Sequence, residues 1–263
     1  MKDGRRFRKF NFKKGNNQLD SRFDWVKDSS MREKVFAEYR RIRDAMLAKC
    51  VSNARNELFF KNIDMVRVAQ SIGIDTSFDR KANKPCIDLD DRQQLDILLD
   101  YAMMFDCTNG RPLRFEFIRR HSQSPSEELR IISKVYSDYA YAWLRPIRSK
   151  TNFGAQCEDM ISGREVFLVD KGLSHALTKD SLNGVATGIH PFGDPALGCV
   201  MTGGAGLPFP LPEAATVLEE MLIDLKIDKR PPMAFNDEEA SRFVACFLRA
   251  AMQNNLSDRV RYR

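Results

Sequence analysis

The sequence predicts an α+β protein in which a mostly helical N-terminal part carries a small β-barrel, and C-terminal helices pack back on the helical part. Three observations predict this class. Apolar residues recur at steps of three or four over much of residues 30–142. Short β-type runs separated by turn residues fill residues 143–209, and helical spacing returns after a proline-rich exit at 207–212. The predicted ranges are a basic flexible arm at 1–20, a helical domain at 21–142, the barrel at 143–210, helices at 211–256 and a basic tail at 257–263.

The helical part is predicted from capping and periodicity. Ser30 to Glu33 fits a capping box, and the apolar spacing that follows predicts one long helix to about Phe60. Further helices are predicted over 63–72, 90–105, 113–120 and 124–142. The polar run 76–85, TSFDRKANKP, is predicted to be a loop. Residues 68–74 resemble the start of a helix-turn-helix, but Asp79, Arg80 and Lys81 occupy the place of a recognition helix and disfavour that interpretation.

The barrel is predicted from five short runs that are rich in β-branched and aromatic residues. They are YAWLRPIR, FGAQCEDMI, REVFLVD, GVATGIHPF and LGCVMTG. Ser162-Gly163 predicts a tight hairpin between two of them. Because open antiparallel edges promote aggregation, we expect the strands to close, as in an SH3-like or OB-like barrel. After the barrel, helices are predicted over 213–225 and 238–252, the second capped by Asn236 and Glu239.

The composition is that of a soluble globular protein, with 43% apolar and 30% charged residues in a chain of 263. No apolar run approaches the roughly 18 residues of a membrane span. The first 14 residues hold no apolar stretch of the kind a secretory signal needs, so we expect a cytoplasmic protein. The six cysteines include no CxxC pair and predict free thiols, and neither cysteines nor histidines have metal-ligand spacing. We therefore predict no metal and no cofactor.

Positive charge is concentrated at the N-terminus. Residues 1–14 hold seven basic side chains and one acidic, whereas the remaining 249 residues hold 35 of each. Phe7, Phe10 and Phe12 alternate with the charges, and aromatic rings stack on unpaired bases while cations contact phosphates. The pattern therefore predicts an RNA-binding or polyanion-binding arm. A solvated tail without a specific partner, a membrane-surface contact and an acidic protein partner are the alternatives. The predicted nucleic-acid-binding residues are Arg5, Arg6, Phe7, Arg8, Lys9, Phe10, Lys13 and Lys14.

Catalytic signals are weak. Asp170, Ser174 and His175 supply the residue types of a nucleophile, a base and an orienting acid, but adjacent Ser and His usually point apart. His190, at the end of a strand, is predicted to be structural and to form a backbone hydrogen bond. Glycines at 203–206 follow a strand but lack the remaining parts of a phosphate loop. The catalytic prediction is therefore none, with Asp170, His175 and His190 as weak candidates.

One stretch of the chain resembles a known group. The segments LLDYAMMFD, NGRPLRFEFIRRH, SPSEELRIISKVYSDYAYAWLRP, REVFLVDKGLS, GVATGIHPF and MTGGAGLPFP follow one another between about residues 90 and 210. This order is similar to that in uncharacterised bacterial cytosolic proteins, some of which carry an added zinc module. The present chain lacks that module, and the resemblance implies no catalytic residues.

The sequence as a whole favours a non-enzymatic binding or adaptor protein, with RNA or another polyanion held by the basic arm. Two alternatives stay open. One is a hydrolase or transferase with a site between barrel and helices. The other is a self-associating scaffold, which would expose a large apolar patch and form a dimer in solution. The expected partner is RNA or another polyanion, or a protein. The oligomeric state is not predicted.

Overall fold

The structure is a computed structural model. It describes residues 21–81, 83–87, 92–107, 110–151, 153–170, 184–203, 206–208, 223 and 235–253. The predictions for the arm at 1–20, for His175, for the helix at 213–225 and for the tail at 257–263 lie outside the described residues. Within the described ranges, every helix is too short or too polar to cross a bilayer.

Along the chain, helices come both before and after the barrel strands. A 3-10 helix, Ser21–Lys27, comes first. The α-helices are α1 (Ser29–Leu47), α2 (Lys49–Asn62), α3 (Met65–Ser71), α4 (Arg92–Met104), α5 (Leu113–His121), α6 (Glu127–Ser137) and α7 (Asp237–Gln253). The predicted capping box of α7 is confirmed, since the Glu239 amide donates to Asn236 Oδ1 at 2.8 Å and the Asn236 amide donates to Glu239 Oε2 at 3.1 Å.

The long helix predicted from Ser30 to Phe60 is interrupted. Ala48 adopts an extended backbone, with φ −64° and ψ 137°, and separates α1 from α2. The N-cap is Asp28, whose carboxylate accepts hydrogen bonds from the Ser30 and Met31 amides, instead of Ser30. The prediction was wrong here because apolar spacing continues across the break, so periodicity alone carries no sign of it.

The run predicted to be a loop at 76–85 forms a β-hairpin. Strands β1 (Thr76–Asp79) and β2 (Lys84–Ile87) pair in antiparallel fashion, with Phe78 opposite Pro85. Asn83 in the connecting turn has φ +49°, a left-handed conformation that Asn tolerates. The prediction failed because both strands are short and mostly exposed, so they lack the apolar alternation by which strands are recognised.

The five predicted barrel strands are present and form a closed barrel. The first begins at Ala140, so the helix predicted over 124–142 ends earlier than expected. The five strands are β3 (Ala140–Thr151), β4 (Gly154–Asp159), β5 (Glu165–Leu168), β6 (Val185–Pro191) and β7 (Cys199–Thr202). Their order is β3-β4-β5-β7-β6, and β6 pairs with β3 to close the ring. The β5–β7 pair is parallel and the other pairs are antiparallel. A short strand, β8 (Leu207–Pro208), pairs with β6 beyond the end of β7.

The two faces of the barrel belong to two cores. Small and medium apolar side chains, among them Ala142, Leu144 and Val185, fill the interior. Side chains of the outer face, such as Trp143 and Phe167, join the main core formed with the helices. Strand residues alternate between the two faces, so one set fills the interior and the other points outward. The outward set packs against the helices. The polar residues described below lie at this contact between barrel and helices.

Candidate functional site

The structure describes two of the three weak catalytic candidates. Asp170 lies two residues beyond the end of β5, where its Oδ2 accepts a hydrogen bond from Thr202 Oγ1 at 2.9 Å. The Asp170 charge also adds to the effect of burial, which raises the pKa of Tyr39. Asp170 is therefore placed beside α1 and the end of β7.

His190 is completely buried on β6 and points to the helical side of the barrel. Its ring is stacked on that of Tyr139, with centroids 6.3 Å apart. Neither ring nitrogen has a hydrogen-bond partner, so the predicted backbone hydrogen bond is not formed, and no hydrogen bond joins His190 to Asp170. Burial lowers the pKa of His190 to about 3. The imidazole is neutral near pH 7, and neither of its nitrogens is hydrogen-bonded to an acid or a base among the described residues.

Beside His190 lies a partly buried contact between a tyrosine and a carboxylate. The Tyr139 hydroxyl donates to both carboxylate oxygens of Asp100 on α4, at 3.1 Å each. Burial raises the pKa of Asp100 to about 7, against the opposing effects of Arg55 and of the Tyr139 hydrogen bond. Asp100 and Tyr141 also line a small cavity, in which the buried Tyr141 hydroxyl has no hydrogen-bond partner. This cluster joins the helical layer to the barrel.

Two glycines leave the space that the Tyr139 ring occupies. A Cβ atom added to Gly188 on β6 would lie 1.8 Å from the Tyr139 hydroxyl oxygen. One added to Gly203, after β7, would lie 2.3 Å from the ring and 3.1 Å from His190 Nδ1. The Gly203 amide donates to the Gly188 carbonyl at 2.9 Å, which holds the two glycines side by side. The absence of side chains at both positions lets Tyr139 reach Asp100.

A cavity of about 540 Å³ opens where one end of the barrel meets α7. Its size falls in the range of ~300–1,000 Å³ that is typical of small-molecule sites. Neither Asp170 nor His190 is among the described residues that line it. The Cys199 thiol lines it, but burial raises the Cys199 pKa to about 12, so the thiol stays protonated and is a poor nucleophile. Much of the wall is aromatic, from Phe105, Tyr139, Tyr141, Phe235 and Phe243.

Two charged residues that line this cavity, Arg114 and Asp237, form an ion pair with each other. Arg114 on α5 donates to Asp237 Oδ1 at 2.9 Å and to the Met104 carbonyl at 2.9 Å. Burial lowers the pKa of Arg114, and the Asp237 charge opposes that effect. The Ser162 hydroxyl at the cavity donates to Asp159, which also accepts the Trp143 amide. These contacts stabilise turns and helix packing at the wall of the cavity.

Sequence reasoning missed the Asp100, Tyr139 and Arg114 contacts. Asp100 and Arg114 fall within the helices predicted over 90–105 and 113–120, and nothing in their local spacing singles them out. One signal was present: Gly188 interrupts a predicted buried strand, and a glycine there often marks a close approach of another group. Among the residues the structure describes, no group of His, Cys, Asp and Glu is placed to hold a metal ion, and all six cysteines are free thiols.

Comparison with known proteins found no match for this chain among family models, curated proteins or solved structures. The resemblance over residues 90–210 therefore stays a prediction, and the function is argued from the chain's own residues.

Proposed function

We propose that this chain is a non-enzymatic binding protein that holds RNA, or another polyanion, through residues 1–14 of the basic arm. The observation that carries the proposal is the uneven distribution of charge. Seven cations and one anion lie in those 14 residues, and the other 249 residues are electrically balanced. Cations on one short segment can contact successive phosphates and release their counterions, which is the main source of affinity for nucleic acid.

The folded body supports this assignment because its cations and anions balance and several of its surface cations already have carboxylate partners. Arg41 on α1 pairs with Glu38 at 2.8 Å and with Glu127 at 3.2 Å. Arg119 and Arg120 on α5 both pair with Glu116 at 2.6 Å. A cation that already has a carboxylate partner gives up that contact when it binds a phosphate. The unmatched positive charge of the arm is therefore the better electrostatic partner for RNA.

We also propose that the barrel is OB-like, and not SH3-like. A closed five-stranded barrel with a parallel pair between its third and fifth strands, β5 and β7, supports this choice. OB folds bind oligonucleotides on the outer face of their second and third strands, here β4 and β5. On that face Phe167 is buried against Trp25 of the 3-10 helix, with ring centroids 5.0 Å apart. Because the chain covers this face itself, the proposal places RNA on the arm and not on the barrel wall.

The two other classes have weaker support. An enzyme with its site between barrel and helices would need reactive groups within reach of one another, and His190 has no hydrogen-bond partner. A self-associating scaffold would expose a contiguous apolar patch. The large exposed apolar side chains of the described residues lie on separate segments of the chain: Leu47, Phe78, Leu95 and Ile223.

The test compares the unmodified chain with a full-length variant in which the six cations of the predicted binding residues are replaced by Gln. Both are titrated with unstructured RNA across a salt series. We expect the slope of log affinity against log salt to become less steep by about 4, since each phosphate contact on a single strand contributes roughly 0.7. Equal affinity and an unchanged slope would reject the proposal. The replaced residues are Arg5, Arg6, Arg8, Lys9, Lys13 and Lys14.

A matched control removes the same number of charges from the folded body. Its replaced residues are exposed cations that form no ion pair with another described residue, and they are distributed over several elements. We expect this control to keep most of the affinity and most of the salt slope. A loss as large as that of the arm variant would show that net charge, and not the arm, governs binding. The control positions are Lys34, Arg40, Lys49, Arg111, Arg164 and Arg242.

A further inference from the structure

The β1–β2 hairpin presents an aromatic ring to solvent. Phe78 is 58% exposed, whereas most aromatic side chains of the described residues are buried or packed against the core. In the antiparallel register Phe78 lies opposite Pro85, which is also exposed. The two side chains share one face of the hairpin next to its turn. A single exposed apolar residue is common on proteins and by itself indicates no site.

The second observation is the charge around this ring. Arg80 and Lys81 lie in the turn, Lys84 begins β2, and all three side chains are exposed. None of the three forms an ion pair with another described residue, unlike Arg41, Arg119 and Arg120 on the helices. Asp79 is the hairpin's only acidic residue, and its carboxylate accepts the Lys81 amide at 2.8 Å within the turn. The hairpin therefore carries an excess of two positive charges beside an exposed ring.

The hairpin is fastened to the body at its base. Gln70 of α3 donates to Thr76 Oγ1 at 3.0 Å, and Ile87 packs against the main core. Gly73, which leads into β1, has φ +80° and lies against Arg249 of α7. The Arg249 guanidinium donates to the Ser71 carbonyl at 2.6 Å. The base of the hairpin is thus attached to α3 and α7, and substitutions of Phe78 and the three cations leave these contacts intact.

We infer that the exposed end of this hairpin is a second contact surface for RNA, where Phe78 stacks on an unpaired base and Arg80, Lys81 and Lys84 contact the adjacent phosphates. An aromatic ring among cations matches the way proteins hold single strands, in which stacking and phosphate contacts act together. A duplex keeps its bases stacked inside and offers the ring nothing to stack on. The inference rests on the proposed function for the choice of RNA as the ligand. The contact at the hairpin itself does not depend on binding by the arm.

The experiment measures binding of the full chain to a fluorescently labelled, unstructured RNA by anisotropy, with an RNA duplex of equal length beside it. We expect Phe78→Ala to weaken binding of the single strand by about tenfold, and Phe78→Trp to restore it. Duplex binding should not respond to either change. Leu47→Ala, at a side chain that is 77% exposed on α1, is the control for loss of an exposed apolar group.

The charge part of the inference is tested with a triple variant, Arg80→Gln, Lys81→Gln and Lys84→Gln. We expect its salt slope to be less steep than that of the unmodified chain by about 2. The control for net charge is Arg111→Gln, Arg164→Gln and Arg242→Gln, three exposed cations elsewhere on the body. This control should keep nearly the full slope.

The outcomes separate the two proposals. If the hairpin variants bind as the unmodified chain does while the arm variant loses binding, the hairpin inference is overturned and the proposed function stands. If the unmodified chain does not bind RNA, both are overturned. If Phe78→Ala weakens single strand and duplex equally, stacking on an unpaired base is rejected.

Discussion

At the scale of single residues, the contact between barrel and helices depends on two glycines, because a side chain at either position would collide with Tyr139. Tyr139 reaches Asp100 only because Gly188 and Gly203 leave room for its ring. These glycines are required by a close approach, whereas Gly193 is required by its backbone, with φ +69° and open space around it. The two reasons for a glycine predict different costs of substitution.

We expect Gly188→Ala to destabilise the protein by at least about 3 kcal/mol, because the new methyl group collides with Tyr139 and displaces the hydrogen bond to Asp100. Gly193→Ala should cost only about 1 kcal/mol, the strain of a left-handed backbone. Urea unfolding of the two variants beside the parent measures both values. Similar losses for the two would contradict the assigned role of Gly188.

At the scale of elements, α7 is attached to the rest of the chain by polar contacts as well as by its apolar face. Arg114 of α5 connects Asp237, the first residue of α7, with carbonyl groups of Met104 and Tyr139. Tyr101 of α4 donates to the Ser241 carbonyl at 3.3 Å. The Arg114 side chain is 10% exposed and that of Asp237 is 48% exposed, so the two partners lose different amounts of hydration.

Arg114→Leu should therefore destabilise the protein by about 2 kcal/mol, since two buried carbonyl oxygens lose their donor. Asp237→Asn should cost less than about 1 kcal/mol, because water solvates its exposed side and screens the pair. Chemical denaturation of both variants tests this asymmetry. A larger loss for Asp237→Asn would show that charge at the start of α7 matters more than the buried carbonyl contacts.

At the scale of the whole molecule, two desolvated groups, one partly and one fully buried, give the stability opposing dependences on pH. Asp100 has a folded pKa of about 7, above its ordinary 3.8, so the folded state holds the extra proton and stability falls as pH rises from about 4 to about 7. His190 has a folded pKa of about 3, below its ordinary 6.5, so the unfolded state takes up the proton first. Its contribution to stability is therefore lost as pH falls from about 6.5 to about 3. Between about pH 4 and pH 6.5 the two slopes oppose each other.

Removing one group should reveal the slope of the other. We expect the urea midpoint of Asp100→Asn to fall faster on acidification than that of the parent, and that of His190→Gln to rise relative to the parent. Each slope is at most about 1.4 kcal/mol per pH unit, the value for one proton. The measurement is the urea midpoint of all three proteins between about pH 4.5 and pH 7.5. Parallel curves would contradict both assignments.

The sequence by itself determined the α+β class, the presence and order of helices α3 to α7 and the five barrel strands. Apolar spacing records which face of a local segment is buried, so it identifies α5, α7 and the strand runs without knowledge of their partners. It misjudged the break at Ala48 and the β1–β2 hairpin, because a continued apolar face hides a break and an exposed hairpin has no apolar alternation.

Tertiary structure alone decided which polar groups meet. Tyr139 bonds to Asp100 across 39 residues and Arg114 bonds to Asp237 across 123, and neither pair has a signal in the local sequence. Burial then changes the protonation behaviour of Asp100 and His190, because desolvation depends on what packs around a group and not on its neighbours in the chain. The exposure of Phe78, among cations that form no ion pair with a described residue, was decided in the same way, by the packing of the hairpin base against α3.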